Sequence, residues 1–176
     1  LALGSGSTTP LQLAQAYAVI ASGGIQRPIS FTKVTGPVPG KRILDEKIAR
    51  AIIPMMETVV TQEGTALRAA VPGYRIAGKT GTAHKAQGGG YASDAYMSLF
   101  VGMAPASAPR VVTAIIIDNP RQGGYYGGLA AAPVFSRMMS DTLRLMNIEP
   151  DRSAERLAEQ HRFPHPSTWA RPGREG

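Results

Sequence analysis

The stretch that most restricts the fold is Val111-Val112-Thr113-Ala114-Ile115-Ile116-Ile117, closed by Asp118. Seven apolar or β-branched residues in an almost unbroken run read as a strand covered on both faces rather than one facing water. A second apolar segment, Tyr96 to Met103, lies just upstream, and only Ala104-Pro105-Ala106-Ser107-Ala108-Pro109 separates the two. So short a link suits antiparallel neighbours, because a parallel crossover needs a dozen residues or more. A third strand is expected over Tyr74 to Ala77 and on into Lys79. The pattern therefore predicts an α+β fold: an antiparallel meander flanked by helices.

Helices are predicted on either side of this meander in sequence. Thr9-Pro10-Leu11-Gln12 has the spacing of a capping box with proline at the first helical position. Leu11, Leu13, Ala14, Tyr17, Ala18 and Ile20 supply the apolar face, and Gly23-Gly24 stops the helix. Pro28 to Val34 alternates like a strand. Asp45 caps a second helix from Glu46 to about Val60, with Pro54 expected to kink it or delay its start. Gly64 to Val71 is short and carries a weak helical pattern. His84 to Asp94 and Asn119 to Gly128 read as loops, and a last helix is expected from Ala132 to Met146. A weak helix over 152 to 160 and a polar, disordered tail over 151 to 176 complete the chain, so that the globular part is expected to span 1 to 150.

The chemistry concentrates in Ala77-Gly78-Lys79-Thr80-Gly81-Thr82-Ala83. Gly73 with Gly78-Lys79-Thr80 satisfies the phosphate-loop pattern literally, and Ile115 to Asp118 resembles its metal-binding strand. That pattern needs strand, then loop, then helix. Here strand-like residues stand where the loop should be, and a glycine-rich stretch stands where the helix should be. The other reading is K-T-G on a strand, as in serine acyl-transferases that react with β-lactams. Alternation then sets Lys79 and Gly81 on one face and Thr80 and Thr82 on the other. The glycines let a substrate backbone approach, the ammonium and hydroxyls suit a carboxylate, and the Thr82 N–H can face an oxyanion. A plain basic edge strand, protected from aggregation by its lysine, accounts for the tripeptide equally well. Ser30-x-x-Lys33 imitates a nucleophile motif. On a strand its two residues face opposite ways, so Ser30 reads as structural. Tyr125 and Tyr126, adjacent and beside Gly127, suggest either a binding wall or a plug over the sheet edge.

Composition excludes several classes. The chain has 176 residues and no cysteine, which rules out disulfides and thiolate metal sites. Its three histidines, His84, His161 and His165, lack ligand spacing, so no metal or other cofactor is expected. The formal net charge is +7, but the basic residues are scattered and aromatics are only 6%, too few for a stacking platform, so no nucleic acid is expected. No apolar run approaches a membrane span and no signal peptide is visible. With no initiating methionine, the chain reads as a piece of something longer.

Five segments together resemble class B penicillin-binding proteins, above all the septal peptidoglycan D,D-transpeptidases of Gram-negative bacteria. They are Thr9 to Leu13, Ala77 to Ala83, Gly102 to Ala106, Tyr125 to Gly128 with Ala132-Pro133-Val134-Phe135, and Met146 to Pro150. The resemblance implies part of a serine β-lactamase/penicillin-binding-protein transpeptidase fold. It implies acyl transfer from a stem peptide to serine and then to an amine, in septal division, on the periplasmic face of the inner membrane. Lys79 would place positive charge beside the nucleophile, Thr80 and Thr82 would hold the substrate carboxylate, and Thr82 N–H would give half an oxyanion hole. Gly81 completes the catalytic motif, and Tyr125, Tyr126 and Gly127 would line the pocket. The implied partners are stem peptides, β-lactams as inhibitors, and septal division proteins including a glycan polymerase. The family also requires S-x-x-K and S-x-N. No S-x-N occurs here. The resemblance thus implies a C-terminal half of the domain, silent without an upstream half that carries both motifs. A β-lactam-sensing or non-catalytic binding module on the same fold is the alternative.

Overall fold

The computed structural model describes residues 8–87, 90–121 and 124–152, and side chains over 86–94 lie outside that description. Helix α1 spans Pro10–Ala21, β1 Ile25–Gln26, β2 Lys41–Arg42 and α2 Glu46–Glu57. Strands β3 (Ala77–Gln87), β4 (Gly90–Ala104) and β5 (Val111–Asp118) and helix α3 (Gly127–Leu145) follow. Short 3-10 turns at Thr58–Val60 and Leu67–Ala69 connect α2 to β3. The order β3-β4-β5 is the expected antiparallel meander. Among the described residues no helix is long and apolar enough to cross a membrane.

The local helix signals act as the sequence dictates. Thr9 Oγ1 accepts from Gln12 N at 3.2 Å, while the Gln12 side chain accepts from Thr9 N at 3.0 Å, closing the capping box. Gly23 and Gly24 end α1 at φ of 70° and 93°, backbone that side chains resist. Asp45 Oδ1 accepts from Lys47 N at 2.7 Å, and α2 starts directly after it with Pro54 inside.

The sheet buries two separate cores, one on each face. On one face, Phe100, Ala104 and Ile115 pack with Phe135, Met139 and Leu143 of α3. The Phe100 and Phe135 rings meet edge to face at 4.7 Å. On the other face, Ala77, Met103 and Val112 pack with Tyr17 and Ile20 of α1 and Ile52 and Met56 of α2. A central sheet covered by helices on both sides explains why β5 carries no polar alternation.

Four expectations change. Pro28 to Val34 is not a strand, and the small sheet instead pairs Ile25 with Arg42 and Gln26 with Lys41. Phe31 is 88% exposed, because its alternation has no neighbouring strand to pair with. The loop expected over His84 to Asp94 is mostly hairpin. β3 and β4 stay paired from His84↔Tyr96 to Gln87↔Gly90, with a register shift between His84 and Ala86. Ring contact between His84 and Tyr96 and an ion pair of Lys85 Nζ with Asp118 Oδ1 at 2.7 Å support the hairpin where composition alone suggested loop. Helix α3 starts at Gly127, five residues before the expected Ala132, so Pro133 lies inside it rather than in its first turn. Finally, Tyr74–Ile76 precede the strand instead of belonging to it.

Asp151 and Arg152, the first two residues of the expected tail, bond to the folded part. Asp151 Oδ1 accepts from Arg75 N at 2.7 Å, and its Oδ2 accepts from Ser107 N at 3.1 Å and Oγ at 2.7 Å. Arg152 N donates to Gly73 O at 3.0 Å, and Tyr74 Oη donates to Ile148 O at 2.6 Å. The segment through Arg152 is therefore tied across the entrance to β3. The predicted helix over 152 to 160 and the tail beyond fall, after Arg152, outside the described residues. On the same stretch, Arg75 grips Glu57 of α2 through two bonds, Nε to Oε2 at 2.9 Å and Nη2 to Oε1 at 2.7 Å. That carboxylate holds the guanidinium above its ordinary pKa.

Candidate active-site wall

The site is built on β3, an edge strand with no strand partner beyond β4 among the described residues. Lys79 pairs with Val101, Thr80 with Phe100, Gly81 with Leu99 and Thr82 with Ser98. Alternation sends Thr80 and Thr82 to the α3 side, and Lys79 and Gly81 to the other. Lys79 is exposed, with Nζ 2.9 Å from Thr80 O, and makes no carboxylate pair among the described residues.

The two glycines have reasons internal to the sheet. A Cβ at Gly78 would stand 2.4 Å from the Phe100 ring, and one at Gly81 would stand 2.7 Å from Leu99 Cγ. Their absence lets neighbouring side chains cross over the strand, which is a packing demand separate from any approach by a substrate.

The hydroxyls are held from behind. Thr82 Oγ1 accepts from Gly127 N at 3.2 Å, and Gly127 is the first residue of α3. Thr80 Oγ1 lies 3.0 Å from Thr65 Oγ1. Helix α3 reaches this position because its first two residues are glycines. A Cβ at Gly127 would stand 2.2 Å from Leu99 O, and one at Gly128 1.9 Å from Thr65 O. Glycine costs about 1 kcal/mol per helical position, and close packing overrides that preference here.

The tyrosines extend the wall along β4. Tyr125 stacks on Tyr96 at 4.0 Å and 13°, and Tyr126 follows at 4.5 Å from Tyr125. Ser98 Oγ donates to Tyr125 O and fixes the backbone of the pair. Tyr126 is exposed while Tyr125 is half-buried, so only one of the expected exposed pair stands free. Hydrogen bonding to Tyr126, then the charge Tyr126 would carry, push the Tyr125 hydroxyl up to about 12.

Thr82 and Gly127 thus meet directly, Thr80 lies on the same face of β3 against Thr65, Tyr125 and Tyr126 adjoin them through Tyr96 and Ser98, and Lys79 contributes charge from the opposite face of the same strand. Sequence reasoning missed Thr65, Tyr96 and Ser98. Thr65 sits in the turn Gln62-Glu63-Gly64-Thr65, which has no periodicity to mark it. Ser98 is a small polar residue in an apolar strand, and its complete burial is the signal that it has a partner. Ser30 is engaged locally, with Oγ 2.7 Å from Thr32 O and accepting from Thr32 N at 3.2 Å. Lys79 and Thr80 lie within a strand with no helix after them, which removes the phosphate-loop reading. Among the described residues, no cluster of three or more His, Asp or Glu could hold a metal ion.

An edge strand carrying Lys-Thr-Gly-Thr, backed by a helix N-terminus and set in an antiparallel sheet with helices on both faces, is the K-T-G strand that the penicillin-binding resemblance implies. The chain belongs to the penicillin binding protein transpeptidase domain family, whose model matches residues 1–140. It is 51% identical over 143 residues to the peptidoglycan D,D-transpeptidase FtsI of Escherichia coli, covering 81% of this chain and 24% of that protein. FtsI of Buchnera aphidicola is 45% identical over 150 residues, covering 85% of this chain and 26% of that protein. The transpeptidase domain of penicillin-binding protein 3 from Burkholderia pseudomallei superposes with a TM-score of 0.76 at 43% identity. That match covers 83% of this chain and 45% of the other. The chain thus spans about a quarter of the length of the curated relatives it matches.

Proposed function

We propose that this chain is the K-T-G wall of a peptidoglycan D,D-transpeptidase that cross-links stem peptides by serine acyl transfer during septal division. The observation that supports this most is the pairing of the Thr82 hydroxyl with the first N–H of α3 while Thr80 lies on the same face of an edge strand. Two hydroxyls on one face, with a cation on the same strand, suit the terminal carboxylate of a D-Ala-D-Ala peptide. The same groups suit the carboxylate of a β-lactam, which is the expected inhibitor.

In this reading the nucleophilic serine and its lysine come from an S-x-x-K segment, and an S-x-N segment completes the site. Neither belongs to the wall described here. The serine oxygen attacks the penultimate D-Ala carbonyl, whose developing oxyanion is met by the outward N–H of Thr82 on the unpaired edge of β3. Losing one such donor costs about 10²–10³ in rate. Lys79 adds positive charge that favours the anionic intermediate. Terminal D-Ala leaves, and the acyl-enzyme passes to an amine on a neighbouring stem peptide. Tyr125, Tyr126 and Gly127 flank the peptide path, with Gly81 keeping the strand flat against Leu99. This activity places the site outside the cytoplasm, on the periplasmic face of the inner membrane, beside septal division proteins including a glycan polymerase.

Intact-mass spectrometry after exposure to a penicillin tests the reading. This chain alone, the S-x-x-K-bearing segment alone and the two together should give an adduct on that segment only when both are present. An adduct on this chain alone would make Ser30 or another serine here the nucleophile. No adduct from a folded, associated pair would remove the transpeptidase assignment.

A further inference from the structure

Resting on that functional reading, we propose that Thr65 is a positioning residue for substrate carboxylate recognition, acting through the Thr80 hydroxyl. Each hydroxyl has one proton to give and lone pairs to receive. Thr82 Oγ1 accepts from Gly127 N at 3.2 Å with one of its lone pairs, so its proton is left to point toward an anion. Thr80 has no helix amide behind it. In the equivalent place stands Thr65 Oγ1, 3.0 Å away. Donation from Thr65 to Thr80 leaves the Thr80 proton free as well. Two neighbouring hydroxyls on one face of β3 then both act as donors, which is what a carboxylate needs. The opposite polarity, with Thr80 donating to Thr65, would aim lone pairs at the anion and repel it. A hydroxyl that accepts one hydrogen bond also becomes a stronger donor of the next.

Thr65 is held firmly enough to serve. Ala66 N donates to Val59 O at 2.9 Å and Gly64 N to Thr61 O at 3.1 Å, closing the turn on both sides of it. A Cβ at Gly64 would stand 2.3 Å from Val59 O, so the turn packs against its own 3-10 segment without room for a side chain. Ala66 is buried, and Gly128 of α3 lies flush against Thr65 O. The first two residues of α3 therefore serve both hydroxyls, Gly127 through its N–H and Gly128 by fixing the backbone of Thr65.

The test compares second-order acylation rates of the complete transpeptidase domain with benzylpenicillin and with its methyl ester, which lacks the anionic carboxylate. Thr65→Val should slow acylation by the free acid about tenfold, the scale of one lost hydrogen bond serving a charged partner. With the ester the same variant should change the rate by less than about twofold, and Thr65→Ser should recover most of the loss. Equal free-acid rates for wild type and Thr65→Val would overturn the assignment. So would an equal loss on both substrates, because that is the signature of general damage. Should Thr65→Val fail to melt cooperatively, the same comparison between Thr65→Ala and Thr65→Ser decides the matter. A folded wild-type domain that no penicillin acylates would overturn the functional reading itself. A wild type that reacts beside an unaffected Thr65→Val overturns only the role of Thr65.

Discussion

Replacing Asp151 by alanine should loosen the entry to β3, and the size of the effect follows from three bonds. The carboxylate receives Arg75 N, Ser107 N and Ser107 Oγ. Hydrogen bonds to a charged acceptor contribute about 1.5–3 kcal/mol each when water is excluded. Asp151 is only half-buried, so water replaces part of what is lost, and about 1 kcal/mol per bond is the better figure. Asp151→Ala should therefore cost about 2–3 kcal/mol, and Asp151→Asn, which keeps one acceptor oxygen, about 1 kcal/mol. The complete domain is about twice the length of this chain, so each kilocalorie lowers Tm by roughly 1–2 °C and the alanine variant should melt about 2–6 °C early. Differential scanning calorimetry of the complete domain reads this directly. A Tm within 1 °C of wild type, taken as about the precision of such a scan, would refute the reasoning. Equal losses for Ala and Asn would also refute it, because acceptor geometry would then be irrelevant.

Gly127→Ala should destabilise by about 2–4 kcal/mol in urea unfolding, since the new Cβ meets the carbonyl oxygens of Leu99 and Gly81, which cannot rotate away. The same variant should slow penicillin acylation, because displacing α3 takes its amide from Thr82. Tyr125 has its folded pKa raised from 10.0 to about 12, so its contribution to stability is complete below pH 10 and is lost as pH climbs toward 12. The difference between wild-type and Tyr125→Phe absorbance titrations at alkaline pH should show that late-ionising phenol, and a midpoint near 10 would contradict it. Ser30→Ala should leave acylation of the complete domain unchanged, since Ser30 is occupied with Thr32, and a lost adduct would reverse that assignment.

What the sequence made legible was local or strongly periodic. The capping box at Thr9, the Asp45 cap and the glycine stop after α1 involve residues within four positions of one another. The Val/Ile run of β5 and its short link to β4 left the meander as the simplest topology. The errors arose where distant contacts outweighed local preference. Gly127 and Gly128 read as loop because glycine disfavours helix, yet only glycine lets α3 begin against the carbonyls of Leu99 and Thr65. The hairpin beyond His84 is glycine-rich but is held by Tyr96 and Asp118, residues 12 and 33 positions from their partners His84 and Lys85. Of the site, Lys79, Thr80 and Thr82 were legible as a motif. Thr65 was not, because nothing in a polar turn 15 residues upstream signals that its hydroxyl meets Thr80.

The sheet with a separate core on each face gives β3 an unusual inheritance. Reading alternate residues yields two interleaved texts on one strand. Ala77 packs toward α2 on the face shared with Lys79 and Gly81, and Thr80 and Thr82 on the other face meet the Thr65 turn and the first turn of α3. A change in the α3 layer therefore bears first on the side chains of Thr80 and Thr82, while the side chain of Lys79 points the other way. The motif is contiguous in the chain, yet neighbouring letters face different layers of the fold.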